Sequence, residues 1–311
     1  MAPDQLAGMR RLLNGKPISA LGFGCSSLWA KPRFDADVAH DILLAADAAG
    51  INHFDTSPSY ADGEVRLARF LKGRDLGRYV ISTKVGTHQN ADGSLWRSFA
   101  IDDMRRSFDG SLSRLGVEKV DILYLHGPAL DDMSRPVLDF LLEQKARGRA
   151  DHIGINSFDP PVVQAALDLP LDAVMLQYSV ADLRFERLIR QLHAKGTMVM
   201  AGTILAQSIF DPRTFMPTNL NSLWYFLRAF KNGPTFPFKG MALARKMKRL
   251  DMTPHEAALR FAVGHPLVTS CLFGTTRAAH VVANAAAASR PLTKEQRAML
   301  GSRIPEAPQR Y

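Results

Sequence analysis

Short apolar runs alternate with longer stretches of helical period along most of this chain. The runs fall at 19–24, 52–55, 79–84, 120–126, 152–155, 173–177, 198–201 and 269–274. Helical spacing of apolar residues fills 36–49, 62–72, 99–115, 134–147, 159–168, 184–195, 254–264 and 277–288. Asp159 with Pro160, and Thr253 with Pro254 and Glu256, read as helix starts, the second as a capping box. Near-continuous apolar strands suit a parallel sheet covered on both faces. Eight strand–helix alternations are the number that closes a (β/α)8 TIM barrel, with an open doubly wound sheet as the second arrangement.

Two additions to the alternation stand out. Before the first strand, Asn14-Gly15 between apolar residues predicts a β-hairpin, placed to plug the bottom of a barrel. After the seventh strand, an irregular insertion over 210–239 is rich in proline and aromatic residues, as lids and binding loops are. The 311 residues are read as one barrel domain, 1–311.

Composition narrows the function classes. Hydrophobic residues at 46% and charged residues at 22% are ordinary for a globular enzyme. No window approaches eighteen uninterrupted apolar residues, so no membrane span is expected. The first residues lack a basic segment followed by an apolar one, and a cytoplasmic location is expected. The formal charge of +9 comes from basic residues dispersed along helices, without a nucleic-acid-binding motif. It favours an anionic cofactor or acidic substrate over nucleic acid. Cys25 and Cys271 lie in strands at opposite ends of the chain, where buried thiols are expected, and no cluster has metal-ligand spacing.

Candidate chemistry collects at the strand ends. Asp55, Lys84 and His126 each close an apolar run, and Tyr60 follows Asp55 in the next turn. In a parallel barrel the C-terminal strand ends share one mouth, so four proton-handling groups converge there. Alone, the Asp–Lys pair reads as a structural ion pair and the histidine as a buried polar residue; together they read as an active site. Gly22-Phe23-Gly24 is not the dinucleotide fingerprint, because it lacks a third glycine before a helix and the later acidic residue. Gly274-Thr275-Thr276-Arg277, leading into a helix through His280 and Asn284, has the makings of an anion site.

The order Asp55, Tyr60, Lys84, His126, with Ser82-Thr83-Lys84, Leu123-Tyr124-Leu125-His126-Gly127-Pro128 and Gly154-Ile155-Asn156-Ser157-Phe158, resembles the aldo-keto reductases over nearly the whole chain. The resemblance implies hydride transfer between a nicotinamide cofactor and an aldehyde, ketone or sugar hemiacetal. Tyr60 would act as general acid or base, Lys84 would lower its pKa, Asp55 would hold Lys84, and His126 would place the carbonyl oxygen. It further implies that Gly24, Cys25 and Ser26 abut the nicotinamide, and that Asn156, Ser157 and Gln177 bind the carboxamide, the first two in roles left open. Gly202, Leu205 and Gln207 would follow along the cofactor. Gly274, Thr275, Thr276, Arg277 and His280 would hold the adenosine phosphate and Asn284 the adenine. Arg277 favours NADP(H), with NAD(H) possible. Gly202 stands where the family carries an aromatic residue stacked on nicotinamide, and Ala283 where an acidic residue often contacts adenine. An NADP(H)-binding sensor subunit with little turnover is the alternative function. A lyase forming a Schiff base on Lys84 is a second rival, one that leaves Tyr60 unexplained.

Overall fold

The computed structural model describes residues 10–13, 15–205, 236–290 and 292–301. The chain opens with an antiparallel hairpin, β1 (Arg10–Leu13) and β2 (Lys16–Ser19), turning at Gly15, whose φ of +92° suits glycine. It continues through β3 (Leu21–Gly24), β4 (His53–Asp55), β5 (Val80–Val85), a second hairpin of β6 (Thr87–Gln89) and β7 (Leu95–Arg97), and β8 (Val120–His126). Then follow β9 (Ala150–Asn156), β10 (Ala173–Gln177), β11 (Met198–Gly202) and β12 (Ser270–Phe273). Apart from the two hairpins, the strands pair in parallel and close into an eight-membered barrel in the order β3-β4-β5-β8-β9-β10-β11-β12. The last pairs back to the first, Cys271 opposite Leu21. The fold is therefore the (β/α)8 barrel expected.

Helices follow the strands: α1 (Ala36–Ala48), α2 (Gly63–Leu71), α3 (Ile101–Leu115), α4 (Arg135–Ala146), α5 (Pro160–Ala165) and α6 (Glu186–Lys195). After the undescribed stretch come α7 (Phe236–Met247), α8 (Pro254–Val263), α9 (Ala278–Ala288) and α10 (Lys294–Met299). Their ends have local causes. The Asp35 side chain accepts from the backbone of Asp37 and Val38 to start α1, and Gly116, at φ +67°, ends α3. Thr253 caps α8 by accepting from Glu256 N, but the capping box is not completed, because the Glu256 carboxylate pairs with Arg260 one turn on. Most of the predicted insertion lies outside the described residues, and its last part is not irregular: from Phe236 the chain is helical. The hairpin β6–β7 and the helix α10 were not anticipated.

Strand periodicity sorts the barrel into layers. Alternate residues face the same way, and Val80, Ile122, Tyr124, Ala173, Met175, Met198, Met200 and Leu272 form one buried cluster with Leu13 and Ile18 of the first hairpin. Most of these are early or middle residues of their strands, Tyr124 and Leu272 lying later, and the hairpin packs on the cluster to close the N-terminal end. The other buried residues pack between the strands and the surrounding helices. Following the interior face upward, Val80 leads to Ser82 and Lys84, and Ile122 to Tyr124 and His126. In the same way Ala173 and Met175 lead to Gln177, and Met198 and Met200 to Gly202. The interior is mainly apolar at the bottom, apart from the buried His53, Ser82 and Ser270, and is polar at the C-terminal mouth.

Candidate active site

The same periodicity gives each strand one interior-facing residue at the mouth. In barrel order these are Gly24, Asp55, Lys84, His126, Asn156, Gln177, Gly202 and, just past β12, Gly274. Sequence reasoning singled out all eight. Their order around the ring divides it into an ionisable arc on β4, β5 and β8, an amide arc on β9 and β10, and a glycine arc on β11, β12 and β3.

On the ionisable arc, Lys84 Nζ donates to Asp55 Oδ2 at 2.6 Å and to the Thr56 carbonyl at 2.8 Å. Lys84 is fully buried, and Asp55 nearly so at 4% exposure. A buried ammonium persists only when paired and hydrogen-bonded, and both conditions are met. Burial pulls the Lys84 pKa down, but the charges of Asp55 and Tyr60 and its hydrogen bonds raise it overall. Asp55 is held from behind by Ser82 Oγ, which donates to Oδ1 at 2.7 Å. Glu64, itself buried, accepts from Thr83 Oγ1 at 2.7 Å and from Arg114, tying α2 to the strand that carries Lys84.

Tyr60 lies partly buried at the mouth, with Lys84 Nζ 4.7 Å from the centroid of its ring. Lys84 was expected to lower its pKa, and its charge does favour the phenolate. Burial is the larger effect, however, and together with Asp55 it leaves the phenol above its ordinary value of 10. At neutral pH the hydroxyl keeps its proton. The His126 ring stands edge-on to Tyr60, 5.6 Å between centroids at 87°. Burial, with Lys84 and Arg97, lowers the His126 pKa to about 3, so the ring is neutral. Ser57 Oγ and Ser59 Oγ lie 3.2 and 3.3 Å from Nδ1. In the tautomer in which a hydroxyl donates there, the ring proton sits on Nε2 and makes it a hydrogen-bond donor.

His53, two residues below Asp55, contacts Ser270 Oγ through Nδ1 at 2.9 Å and Ser82 Oγ through Nε2 at 3.3 Å. It supports the site from below rather than opening onto it. Complete burial lowers its pKa to about 4. An unfolded histidine titrates near 6.5, so this stability is intact above that pH and is lost as pH falls from 6.5 towards 4, by roughly 3 kcal/mol. Thermal unfolding followed by circular dichroism is expected to shift to lower temperature across that window, with a shallower slope in His53→Gln. Parallel curves for the two proteins would exclude His53 as the cause.

The amide arc offers both donors and acceptors. Asn156 and Ser157 are buried, with Asn156 Nδ2 3.5 Å from the Met175 carbonyl, and Gln177 Oε1 accepts from Arg184 at 3.3 Å. The glycine arc adds no side chains to the mouth. A Cβ on Gly24 would come no closer than 3.6 Å to Phe273 O, and one on Gly274 would stand 3.4 Å from Gly24 O. A Cβ on Gly202 would meet the Phe158 ring at 3.5 Å. Three neighbouring strand ends without side chains, beside amides and opposite a proton donor, form a cradle suited to a flat carboxamide-bearing ring. Cys25 is buried next to it, its thiol pKa raised by burial, and its N–H donates to Asp55 O at 2.7 Å. Ser26 is partly exposed.

Beyond β12, Thr275 Oγ1 lies 3.2 Å from His280 Nδ1 and accepts from Arg277 N at 3.3 Å. Arg277 is exposed at the start of α9 and its guanidinium makes no ion pair among the described residues. Asn284 is instead buried, accepting from His255 Nε2 at 2.8 Å. Leu205 is partly buried beyond Gly202, Thr276 is partly exposed, and Gln207 lies outside the described residues. Sequence reasoning missed Ser57 and Ser59, which orient His126, and Phe158, whose exposed ring borders Gly202. Ser57 and Ser59 flank Pro58 in the turn that leads to Tyr60, so their position was a signal. Phe158 closes the Gly154-Ile155-Asn156-Ser157-Phe158 motif, which gave no sign that its ring would border Gly202.

The family model described as "Aldo/keto reductase family" matches residues 20–303. The chain is 27% identical over 293 residues to L-galactose dehydrogenase of Arabidopsis thaliana, covering 88% of this chain and 85% of that protein. It is 26% identical over 233 residues to the NADH-specific methylglyoxal reductase of Escherichia coli, covering 67% and 72%. Among solved structures, an aldo-keto reductase from Bacillus halodurans superposes with a TM-score of 0.75 at 26% identity, over 94% of each chain. With a barrel whose mouth carries the Asp55, Tyr60, Lys84 and His126 cluster, and a family match spanning nearly its full length, this chain belongs to the aldo/keto reductase family.

Proposed function

We propose that this protein is an NADP(H)-dependent oxidoreductase acting on an aldehyde, ketone or sugar hemiacetal, with Tyr60 as its proton donor and acceptor. The observation that carries the reading is the ring of strand ends, in which a buried Asp55–Lys84 pair and a protonated Tyr60 face a side-chain-free glycine arc. The nicotinamide, when bound, supplies or accepts the hydride, which no side chain can do. Gly24, Gly202 and Gly274 leave room for its ring, and Asn156, Ser157 and Gln177 supply the polar groups for its carboxamide.

The chain's own residues manage the proton. Tyr60 gives its hydroxyl proton to the carbonyl oxygen in reduction and takes it back in oxidation. Lys84, positively charged beside the ring, stabilises the phenolate left behind, and Asp55 keeps that lysine charged and aimed. His126, neutral with its proton on Nε2, donates a hydrogen bond that positions the substrate oxygen without competing as an acid.

Arg277 supports NADP(H) over NAD(H). An exposed guanidinium at a helix start, with no carboxylate partner among the described residues, is suited to bidentate binding of a 2′-phosphate. Titration of the protein with NADPH and NADH, followed by fluorescence, is expected to show tighter NADPH binding. Arg277→Gln should weaken NADPH at least tenfold and NADH less than threefold. Equal loss for both cofactors would remove Arg277 as the phosphate reader, and no binding of either would overturn the oxidoreductase reading.

A further inference from the structure

The hairpin β6–β7 carries a charged group, Arg97, whose charge helps keep His126 neutral but whose guanidinium has no assigned role in moving hydride or proton or in holding the cofactor. Residues 87, 89, 95 and 97 share one face of this two-stranded ribbon, with Thr87 opposite Arg97 and Gln89 opposite Leu95. That face is fixed to the catalytic mouth at two points. Thr87 Oγ1 donates to the His126 carbonyl at 2.8 Å, and Gln89 Oε1 accepts from the N–H of Ala61, next to Tyr60, at 3.0 Å. On the opposite face His88 and Trp96 stack, with ring centroids 4.2 Å apart, which stiffens the ribbon.

Arg97 therefore stands over the strand end that carries His126. A Cβ built on Gly127 would lie 3.1 Å from Arg97 Nη2, so the guanidinium reaches over the residue after His126. Arg97 is exposed to solvent and forms no ion pair with any described residue. An arginine beside a catalytic mouth, its planar fork engaged by no described carboxylate, is suited to receive a carboxylate or phosphate. The chain's excess of 39 basic over 30 acidic residues works in the same direction.

We infer that Arg97 is a specificity residue selecting carbonyl substrates that carry an anionic group, a carboxylate or a phosphate, held over Gly127 while the carbonyl oxygen lies between Tyr60 and His126. This rests on the oxidoreductase reading above and narrows its substrate class. Arg97 makes no contact with the reacting atoms in this proposal; it acts on selection.

Matched substrates test it: butyraldehyde against succinic semialdehyde for the carboxylate, and glyceraldehyde against glyceraldehyde 3-phosphate for the phosphate, each with NADPH. The wild type is expected to favour the charged member of at least one pair by tenfold or more in kcat/KM. In Arg97→Gln that ratio should collapse at least tenfold, with the loss in KM, and Arg97→Lys should retain part of it. The pair that responds identifies the anion. Calorimetric titration of both proteins with succinate and with inorganic phosphate reads the same site without turnover. Loss of anion binding in Arg97→Gln supports the inference even in a protein that reduces nothing. An unchanged selectivity ratio, with unchanged or absent anion binding, overturns it. Turnover of the uncharged aldehydes in that case would leave the oxidoreductase reading intact.

Discussion

Replacing Tyr60 by phenylalanine is expected to lower kcat by about 10³-fold, within the 10²–10⁴-fold range typical of a lost general acid, while the dissociation constant for NADPH changes less than twofold. The substitution removes one oxygen and keeps the ring that packs beside Lys84 and edge-on to His126. The pH profile of the wild type tests the same residue from another side. Burial holds the phenol above its ordinary value, so Tyr60 is protonated throughout the neutral range, and His126, lowered to about 3, does not titrate there. Reduction should therefore be nearly flat from pH 6 to pH 9. Steady-state kinetics and fluorescence titration of the variant decide the matter: a Tyr60→Phe protein with more than a tenth of wild-type kcat would exclude Tyr60 as the proton donor. A loss of NADPH affinity in proportion to the loss of rate would assign Tyr60 to binding instead.

What could be read in the sequence follows from which signals are local. The eight barrel strands are buried on both faces, so each appears as an apolar run, and a reactive residue at its end is visible as an interruption of that run. Asp55, Lys84 and His126 were legible for this reason. The hairpin β6–β7 was not, because its strands are three residues long and β7 is exposed throughout, leaving no apolar run to detect. Its one signal, Asp92-Gly93, is a turn pair with Gly93 at φ +84°. The direction of the Tyr60 shift also escaped sequence reasoning. Adjacency to a lysine is inferable from strand order, but the opposing cost of burial depends on the packing of the whole mouth. Phe158 shows the same limit. The glycine at 202 reads as a missing aromatic, whereas the folded chain brings a ring from the end of β9 to within 3.5 Å of where that side chain would begin.

The ion pair beneath Tyr60 makes the second large prediction, one that separates stability from catalysis. Asp55→Ala leaves the Lys84 ammonium buried without its carboxylate, at 0% exposure of its side chain. Removing one partner of a buried pair typically costs about 3–5 kcal/mol, and the loss should appear as a lower urea midpoint. With Asp55 gone, burial is the dominant influence on Lys84 and drives it towards the neutral amine, so part of the cost is met by losing its proton. A neutral lysine no longer stabilises a phenolate, so turnover should fail even where the protein remains folded. The double variant Asp55→Asn, Lys84→Met removes the unpaired charge and is expected to regain at least half of the lost stability, because an apolar side chain of similar length fills the Lys84 site. It should regain no activity. Equilibrium urea unfolding of the three proteins, with activity assayed on the folded fraction, tests both claims. A single variant within about 1 kcal/mol of wild type would show that the pair is not buried as tightly as the geometry requires. A double variant that recovers turnover along with stability would show that the lysine charge has no part in moving the proton.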